Sequence, residues 1–368
     1  MSKKVLFVAT VVKQHINVFH LPYIKWFSDQ GYEVHVAARN DYEFKEECII
    51  PNCTKFYDMS FSRSPLSSDN IKALKSLKTI ITENSYDIIH CHTPVGGMLS
   101  RVAVSKRDAK KTKVAYTAHG YHFIKGGPIM DWIKYFPLEF MMRKRTDMLI
   151  CINDQDYKLA KKFKLGRKIC KVDGVGVNYN IVDAKKDYNF KDNISLIFVG
   201  ELSLNKNQTF LIEVINNLKK RYPTIVLNLV GAFGIQYDNL VDQVKKLNLD
   251  QHIIFHGYRN DVGEMMMNSD IVVSSSKREG LPMNVMEAMS FGLPLVVSDC
   301  RGNSDLIVDN ENGYVSKLDV QEFSDKISKM IENYPARVKM GNLNKELSKK
   351  YHINEVLKQY EKIYIELM

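Results

Sequence analysis

The stretch that decides the fold is Ser276–Pro294, SKREGLPMNVMEAMSFGLP. The residues before it, Ile271–Ser275, are apolar and β-branched and then turn to serine, the composition of a short buried strand. Pro282 suits the start of a helix, because the N–H it lacks has no partner there anyway. The pattern predicts a helix over Met283–Phe291, stopped by Gly292 with Pro294 beyond. Leu295–Ser298 is a second apolar strand. Strand, loop, helix, strand is the repeating unit of a parallel sheet, whose ligands gather at the carboxyl ends of its strands.

Two glutamates sit in this unit, Glu279 in the loop and Glu287 about a turn and a half into the helix. Eight residues of mostly helical chain span up to about 12 Å, so the two carboxylates cannot meet on one atom. They can hold the two ends of an elongated ligand. Between them lie the free N–H groups of the first helical turn, which favour an anion. A nucleotide sugar has that form, with hydroxyls at each end and a diphosphate between.

The same alternation runs outward in both directions. Strands are predicted at Val5–Val12, Tyr32–Ala38, Asp87–His90, Lys113–Ala118 and Thr146–Asn153, with helices at 17–30, 71–83, 96–106 and 154–164. A polar linker at 183–192 separates a second series. Its strands are Ile194–Val199, Val226–Val230 and Ile253–Phe255, and its helices are 208–221, 237–247 and 262–268. Gly174-Val-Gly176-Val-Asn178 lacks the third glycine and following helix of a dinucleotide fingerprint, and reads as the crossing between domains. The length of 368 residues agrees with two domains.

Glu279-x7-Glu287 within EGLPxxxxEAMxxGLP resembles the retaining GT-B glycosyltransferases of family 4, and the resemblance covers nearly the whole chain. HTPVGG (His92–Gly97) and YTAHGYHF (Tyr116–Phe123) are similar to bacterial exopolysaccharide and capsule transferases. The implied fold is α/β, with two Rossmann-like doubly wound parallel-sheet domains facing a central cleft. Residues 1–178 would bind the acceptor and residues 179–352 the donor, with the helix 353–368 packing back on the first domain.

The resemblance also implies roles. Glu279 would contact the donor sugar and Glu287 the ribose. Lys206, in a loop opened by Gly200, would neutralise the leaving diphosphate together with the amides around Gly280, Leu281, Pro282, Met283 and Asn284. Glu201 stands where the family usually carries arginine, so less of the diphosphate would be held by side-chain cations. Tyr258 and Arg259 lie where the family holds the nucleobase. His119, at a strand end beside Gly120, would stand near the sugar. Lys13, His15, Asn17, His20 and His122 are the candidate acceptor contacts. These roles imply retaining transfer of a hexose or N-acetylhexosamine from a nucleotide sugar, most simply a UDP-sugar, to a lipid-linked saccharide, with no cofactor. A sugar-nucleotide 2-epimerase on the same fold and a non-catalytic membrane-docked partner subunit are the competing readings.

Composition bounds these possibilities. No run of about 18 apolar residues is present, so no transmembrane helix is expected, and MSKKVLFVATVV lacks a signal-peptide cleavage site. The six cysteines form no CxxC pairs, as expected of a reducing cytoplasm. His90, Cys91 and His92 are adjacent along one strand, which makes shared ligation unfavourable, and no metal is expected. Residues 1–180 carry 29 Lys and Arg against 17 Asp and Glu, while residues 181–368 carry 23 against 25. Only the first half therefore calls for an anionic partner, nucleic acid or a membrane face. The lipid-linked acceptor favours the anionic inner face of the cell membrane, and no nucleic acid is expected. The aromatic stretch Ile129–Arg145 reads either as a core helix broken by Pro137 or as a helix lying on that membrane.

Overall fold

The computed structural model describes residues 3–65, 67–124, 127–178, 187–189 and 193–368. The polar linker at 183–192 therefore lies mostly outside the described residues. The chain divides into two compact units, one of residues 1–176 with 353–368 and one of residues 177–352.

The first unit is built on seven parallel strands: β1 (Lys4–Val11), β2 (Glu33–Arg39), β3 (Lys55–Asp58), β4 (Ile88–His92), β5 (Lys113–Ala118), β6 (Met148–Cys151) and β7 (Lys168–Lys171), in the order β3-β2-β1-β4-β5-β6-β7. The order reverses between β1 and β4. β1 and β4 are buried over almost their whole length, since helices cover both faces of the sheet. The outermost strands read KFYD and KICK, exposed at both ends, and carry no apolar run that a sequence pattern could detect.

The second unit has six parallel strands: β8 (Ser195–Val199), β9 (Val226–Val230), β10 (Ile253–Gly257), β11 (Ile271–Ser274), β12 (Leu295–Ser298) and β13 (Tyr314–Ser316), ordered β10-β9-β8-β11-β12-β13. Here the order reverses between β8 and β11. In doubly wound sheets the crevice at such a reversal receives the ligand. Both reversals bear candidate residues on this chain.

Two helices depart from the sequence expectation. The predicted helix at 17–30 is interrupted at His20, and the regular part is Leu21–Asp29. The interruption turns the His20 ring inward, where it is only 2 % exposed. Pro137 does not break its helix, which runs unbroken over Ile129–Met142. The inward residues Trp132, Tyr135 and Phe136 pack on the first core. Glu139 goes further in and forms a two-pronged ion pair with Arg101, at 2.8 and 3.0 Å, and the Arg101 guanidinium lies over the Tyr116 ring.

The last helix, Ile353–Leu367, belongs to the first unit. Tyr360 and Tyr364 pack against Tyr23 and Trp26, and the Tyr364 hydroxyl meets His90 Nδ1 at 2.8 Å. Gly176 has φ +79°, and a Cβ there would lie 2.8 Å from the Ile353 Cα, so only glycine lets the crossing pass beside this helix.

Candidate active site

The second unit gathers its candidates at the β8/β11 reversal. Gly200 (φ +154°) ends β8, and Gly231 (φ +150°) ends β9. A Cβ on Gly231 would lie 2.2 Å from the Gly200 carbonyl oxygen, so the two strand ends close to a distance that only glycine permits. The chain then turns through Ser203–Asn207 into the helix Gln208–Leu218. The Lys206 side chain runs back over Gly200.

β11 delivers the partner loop. The Asn205 amide donates to the Arg278 carbonyl at 2.9 Å, and the Lys277 N–H donates to the Asn205 carbonyl at 2.8 Å. The Ser275 hydroxyl donates to the Lys206 and Asn207 carbonyls. Laced in this way, the two loops bring Lys206 Nζ to 2.7 Å from Glu279 Oε1. Their side chains are 22 % and 12 % exposed, so the pair is screened from solvent without being sealed from it. The sequence assigns Glu279 to the donor sugar and Lys206 to the diphosphate; the structure joins the two side chains in one ion pair.

Behind the pair stand two residues that the sequence reading missed. Arg301 Nε donates to the Glu279 carbonyl at 2.8 Å, and Gly302 (φ +87°) lies flat against Glu279 and Gly280. Their only sequence signal is a glycine just past a strand end, in Cys300-Arg-Gly-Asn303. The helix Met283–Ser290 follows with Pro282 as its cap, which leaves early amide donors facing outward. Asn284 is more a brace than a contact. Its amide donates to the Val199 carbonyl at 2.7 Å and its side-chain oxygen accepts from the Val285 N–H. Glu287 lies inward on this helix, and loss of solvent alone raises its carboxyl to about 7. Glu201 is exposed, Tyr258 is 78 % exposed, and the Arg259 guanidinium is already engaged by Asp261.

In the first unit the β1/β4 reversal assembles four histidines. His15 follows β1, His20 precedes the helix Leu21–Asp29, His92 ends β4 and His119 follows β5. The His20 and His92 rings stack at 3.7 Å, and His92 Nδ1 and His119 Nε2 lie 3.3 Å apart. Burial lowers His15, His20 and His92 well below the ordinary imidazole range and pushes His119 down to about 4. His90 is different. Its two ring nitrogens are taken by Thr117 and Tyr364, so it is a satisfied core histidine.

The other acceptor candidates divide. Asn17 donates to the Tyr42 hydroxyl and the Ile49 carbonyl and so fastens a loop. Lys13 is exposed, with its ammonium over the Tyr42 ring. His122 stacks on Tyr135 and, with His15, Gln14, Arg63 and Thr93, lines a cavity of 390 Å³.

Two parallel sheets with helices on both faces, each bearing its polar residues at the reversal of strand order, define a two-domain enzyme of the GT-B fold. The chain belongs to the glycosyltransferases: residues 181–347 match the family "Glycosyl transferases group 1" and residues 4–153 match "Glycosyl transferase 4-like". It is 36 % identical over 378 residues to EpsD of Bacillus subtilis (strain 168), across 99 % of this chain and 97 % of that one. It is 27 % identical over 315 residues, across 81 % of this chain and 80 % of the other, to an Escherichia coli enzyme named UDP-Gal:alpha-D-GlcNAc-diphosphoundecaprenol alpha-1,3-galactosyltransferase. Among solved structures, Anabaena Alr3699/HepE in complex with UDP and glucose matches with a TM-score of 0.79 at 17 % identity, over 99 % of this chain and 100 % of that one.

Proposed function

We propose that this glycosyltransferase moves a hexose or N-acetylhexosamine from a UDP-sugar to a lipid-linked saccharide in cell-surface polysaccharide assembly. Transfer proceeds with retention at the anomeric carbon and without a metal at the diphosphate. The observation that carries the reading is the Lys206–Glu279 pair beside the start of the helix Met283–Ser290, with Glu287 half-buried further along it. The UDP bound by HepE and the diphosphoundecaprenol acceptor of the E. coli enzyme support the choice of donor and acceptor.

In this scheme the bond from the anomeric carbon to the diphosphate breaks, and negative charge gathers on the departing phosphate. Lys206 and the free amides of the Met283–Ser290 turn meet that charge in fixed positions. Glu279 gives one carboxylate oxygen to Lys206 and the other to a sugar hydroxyl, so the cation and the sugar are held by one rigid group. The acceptor hydroxyl bonds to the anomeric carbon, and its proton passes to the leaving phosphate. Glu287 receives the ribose hydroxyls.

Calorimetric titration tests the donor. UDP should bind, GDP and ADP should bind far less, and Glu287→Ala should abolish UDP binding; failure of UDP to bind the wild type would sink the reading. The Glu287 carboxyl also sets a pH dependence. Below its ordinary value of 4.5 both folded and unfolded chains hold the proton, and between 4.5 and about 7 only the folded chain does. Stability should therefore fall as pH rises through that window, by about 3 kcal/mol in all, and level off above it. Glu287→Gln should remove the slope. Because ribose hydroxyls prefer the ionised carboxylate, UDP affinity should also gain more across pH 7 in the wild type than in Glu287→Gln.

The same reading places the protein on the anionic inner face of the membrane, on the cytoplasmic side. No helix among the described residues is long and apolar enough to cross a membrane. The outward stripe of Ile129–Met142 is nevertheless apolar, with Ile129, Met130, Ile133 and Met141 between 61 and 70 % exposed, and Arg143-Lys144-Arg145 follows. Such a face suits the headgroup boundary of an anionic bilayer. Co-sedimentation with phosphatidylglycerol vesicles should weaken at least about tenfold in Ile133→Asp/Met141→Asp, since two apolar side chains leave the interface. Equal sedimentation of the variant and the wild type would remove the membrane from the scheme.

A further inference from the structure

We infer that His15, His20, His92 and His119 form a binding site for one divalent transition-metal ion. Each of the four offers one ring nitrogen, and these nitrogens all lie within 4.8 Å of one another. His15 and His20 are neighbours on one helical stretch, and His92 and His119 come to them from two distant strand ends, so chain locality alone does not account for the cluster.

Hydrogen bonding separates this cluster from ordinary buried histidines. His15 Nε2, both ring nitrogens of His20, and His92 Nε2 are buried with no hydrogen-bond partner. A buried polar atom without a partner costs about 1–3 kcal/mol, and native cores rarely leave several at one place. The neighbouring His90 has both nitrogens satisfied, and so does His35, through Tyr86 and Glu33. Among the described histidines the unsatisfied nitrogens are thus confined to His15, His20 and His92, three of the four rings that face each other.

The dimensions fit. Zinc binds imidazole nitrogen at about 2.0–2.1 Å, which sets neighbouring nitrogens of a tetrahedral site about 3.4 Å apart. The rings need to move inward by less than about 1 Å each, within reach of side-chain torsions. The set contains no carboxylate and no thiolate. That disfavours magnesium and calcium, which require oxygen, and selects ions that accept imidazole, such as zinc, cobalt, nickel or copper. The four histidines lie at the carboxyl edge of the first sheet, and Lys206, Glu279 and Glu287 belong to the other unit. Under the transfer reading the ion withholds His119 from the sugar, so added zinc should inhibit transfer and a chelator should restore it.

The test uses the full chain without a polyhistidine tag and no nucleotide, so its failure leaves the transfer reading untouched. Protein stripped with chelator is equilibrated with zinc, passed through gel filtration and measured by elemental mass spectrometry. One zinc per chain is expected in the wild type and in His122→Gln, and less than a tenth as much in His20→Gln. Cobalt(II) should give the wild type the intense visible bands of a four-coordinate nitrogen site. That second readout decides the matter even if His20→Gln does not fold. A wild type that leaves the column without zinc and gives cobalt only its weak aqueous spectrum would overturn the inference, as would full occupancy in folded His20→Gln. Ordered water would then account for the unpaired nitrogens.

Discussion

Lys206→Ala should lower the rate of sugar transfer by about 10²–10³-fold, the usual cost of removing one fixed donor from a developing negative charge. The effect should fall on kcat more than on KM, because the charge that Lys206 meets is greatest once the bond to the diphosphate is breaking. Stability should change little. The Lys206–Glu279 contact is partly open to solvent, and such pairs contribute about 1 kcal/mol or less. Glu279→Gln should cost a similar factor by a different route, since it releases both the lysine and the sugar hydroxyl. The double variant Lys206→Ala/Glu279→Gln should then be hardly slower than either single one, because the two side chains act as one group. Additive losses would show that they act independently and that the ion pair dissolves when donor binds. Steady-state rates with a UDP-sugar and a lipid-linked acceptor decide between these. Product that appears without any acceptor would point instead to a 2-epimerase.

The second large effect concerns stability. Glu139→Ala should destabilise the first unit by about 3–5 kcal/mol, since it strands the Arg101 guanidinium at 0 % exposure. Arg101 has a neutral acceptor in the Gly97 carbonyl at 2.9 Å, but no second carboxylate is bonded to it among the described residues. Replacing both partners, as in Arg101→Met/Glu139→Leu, should recover most of the loss, because burying two apolar chains avoids the desolvation of two charges. Thermal unfolding read by hydrogen exchange in 88–118 and 129–151 would measure it. The second unit, which contains neither residue, should exchange as in the wild type. A loss below about 1 kcal/mol in Glu139→Ala would mean that water reaches Arg101.

Much of the sheet architecture is legible in the sequence because parallel strands buried on both faces have nothing to alternate with. β5, β9 and β12 are short apolar runs whose ends can be read directly. The edge strands β3 and β7 are not legible, since one of their sides has no neighbour and their residues are polar at each end. The site is legible in parts. Glu279, Lys206 and Glu287 stand out from the wording around them, but the direct pairing of Lys206 with Glu279 spans 73 positions and depends on how two loops are laced. Asn17 is legible as an acceptor candidate because it follows a strand end, but the donation of its amide to Tyr42 and Ile49 depends on a loop far along the chain. The histidine cluster is the least legible. Its members come from three stretches of the chain, and local spacing around His90-Cys-His92 argued against ligation. Folding turns Cys91 to the other face and brings three distant rings to His92.

The docking of Ile353–Leu367 into the first unit sets an order of events during synthesis. Residues 177–352 are a contiguous segment and can fold as soon as they leave the ribosome. The first unit is made earlier but finishes later, because the surface around Tyr23, Trp26 and His90 stays bare until residues 353–367 emerge. The unit that is translated first is thus the one that a stop codon just before Ile353 leaves incomplete.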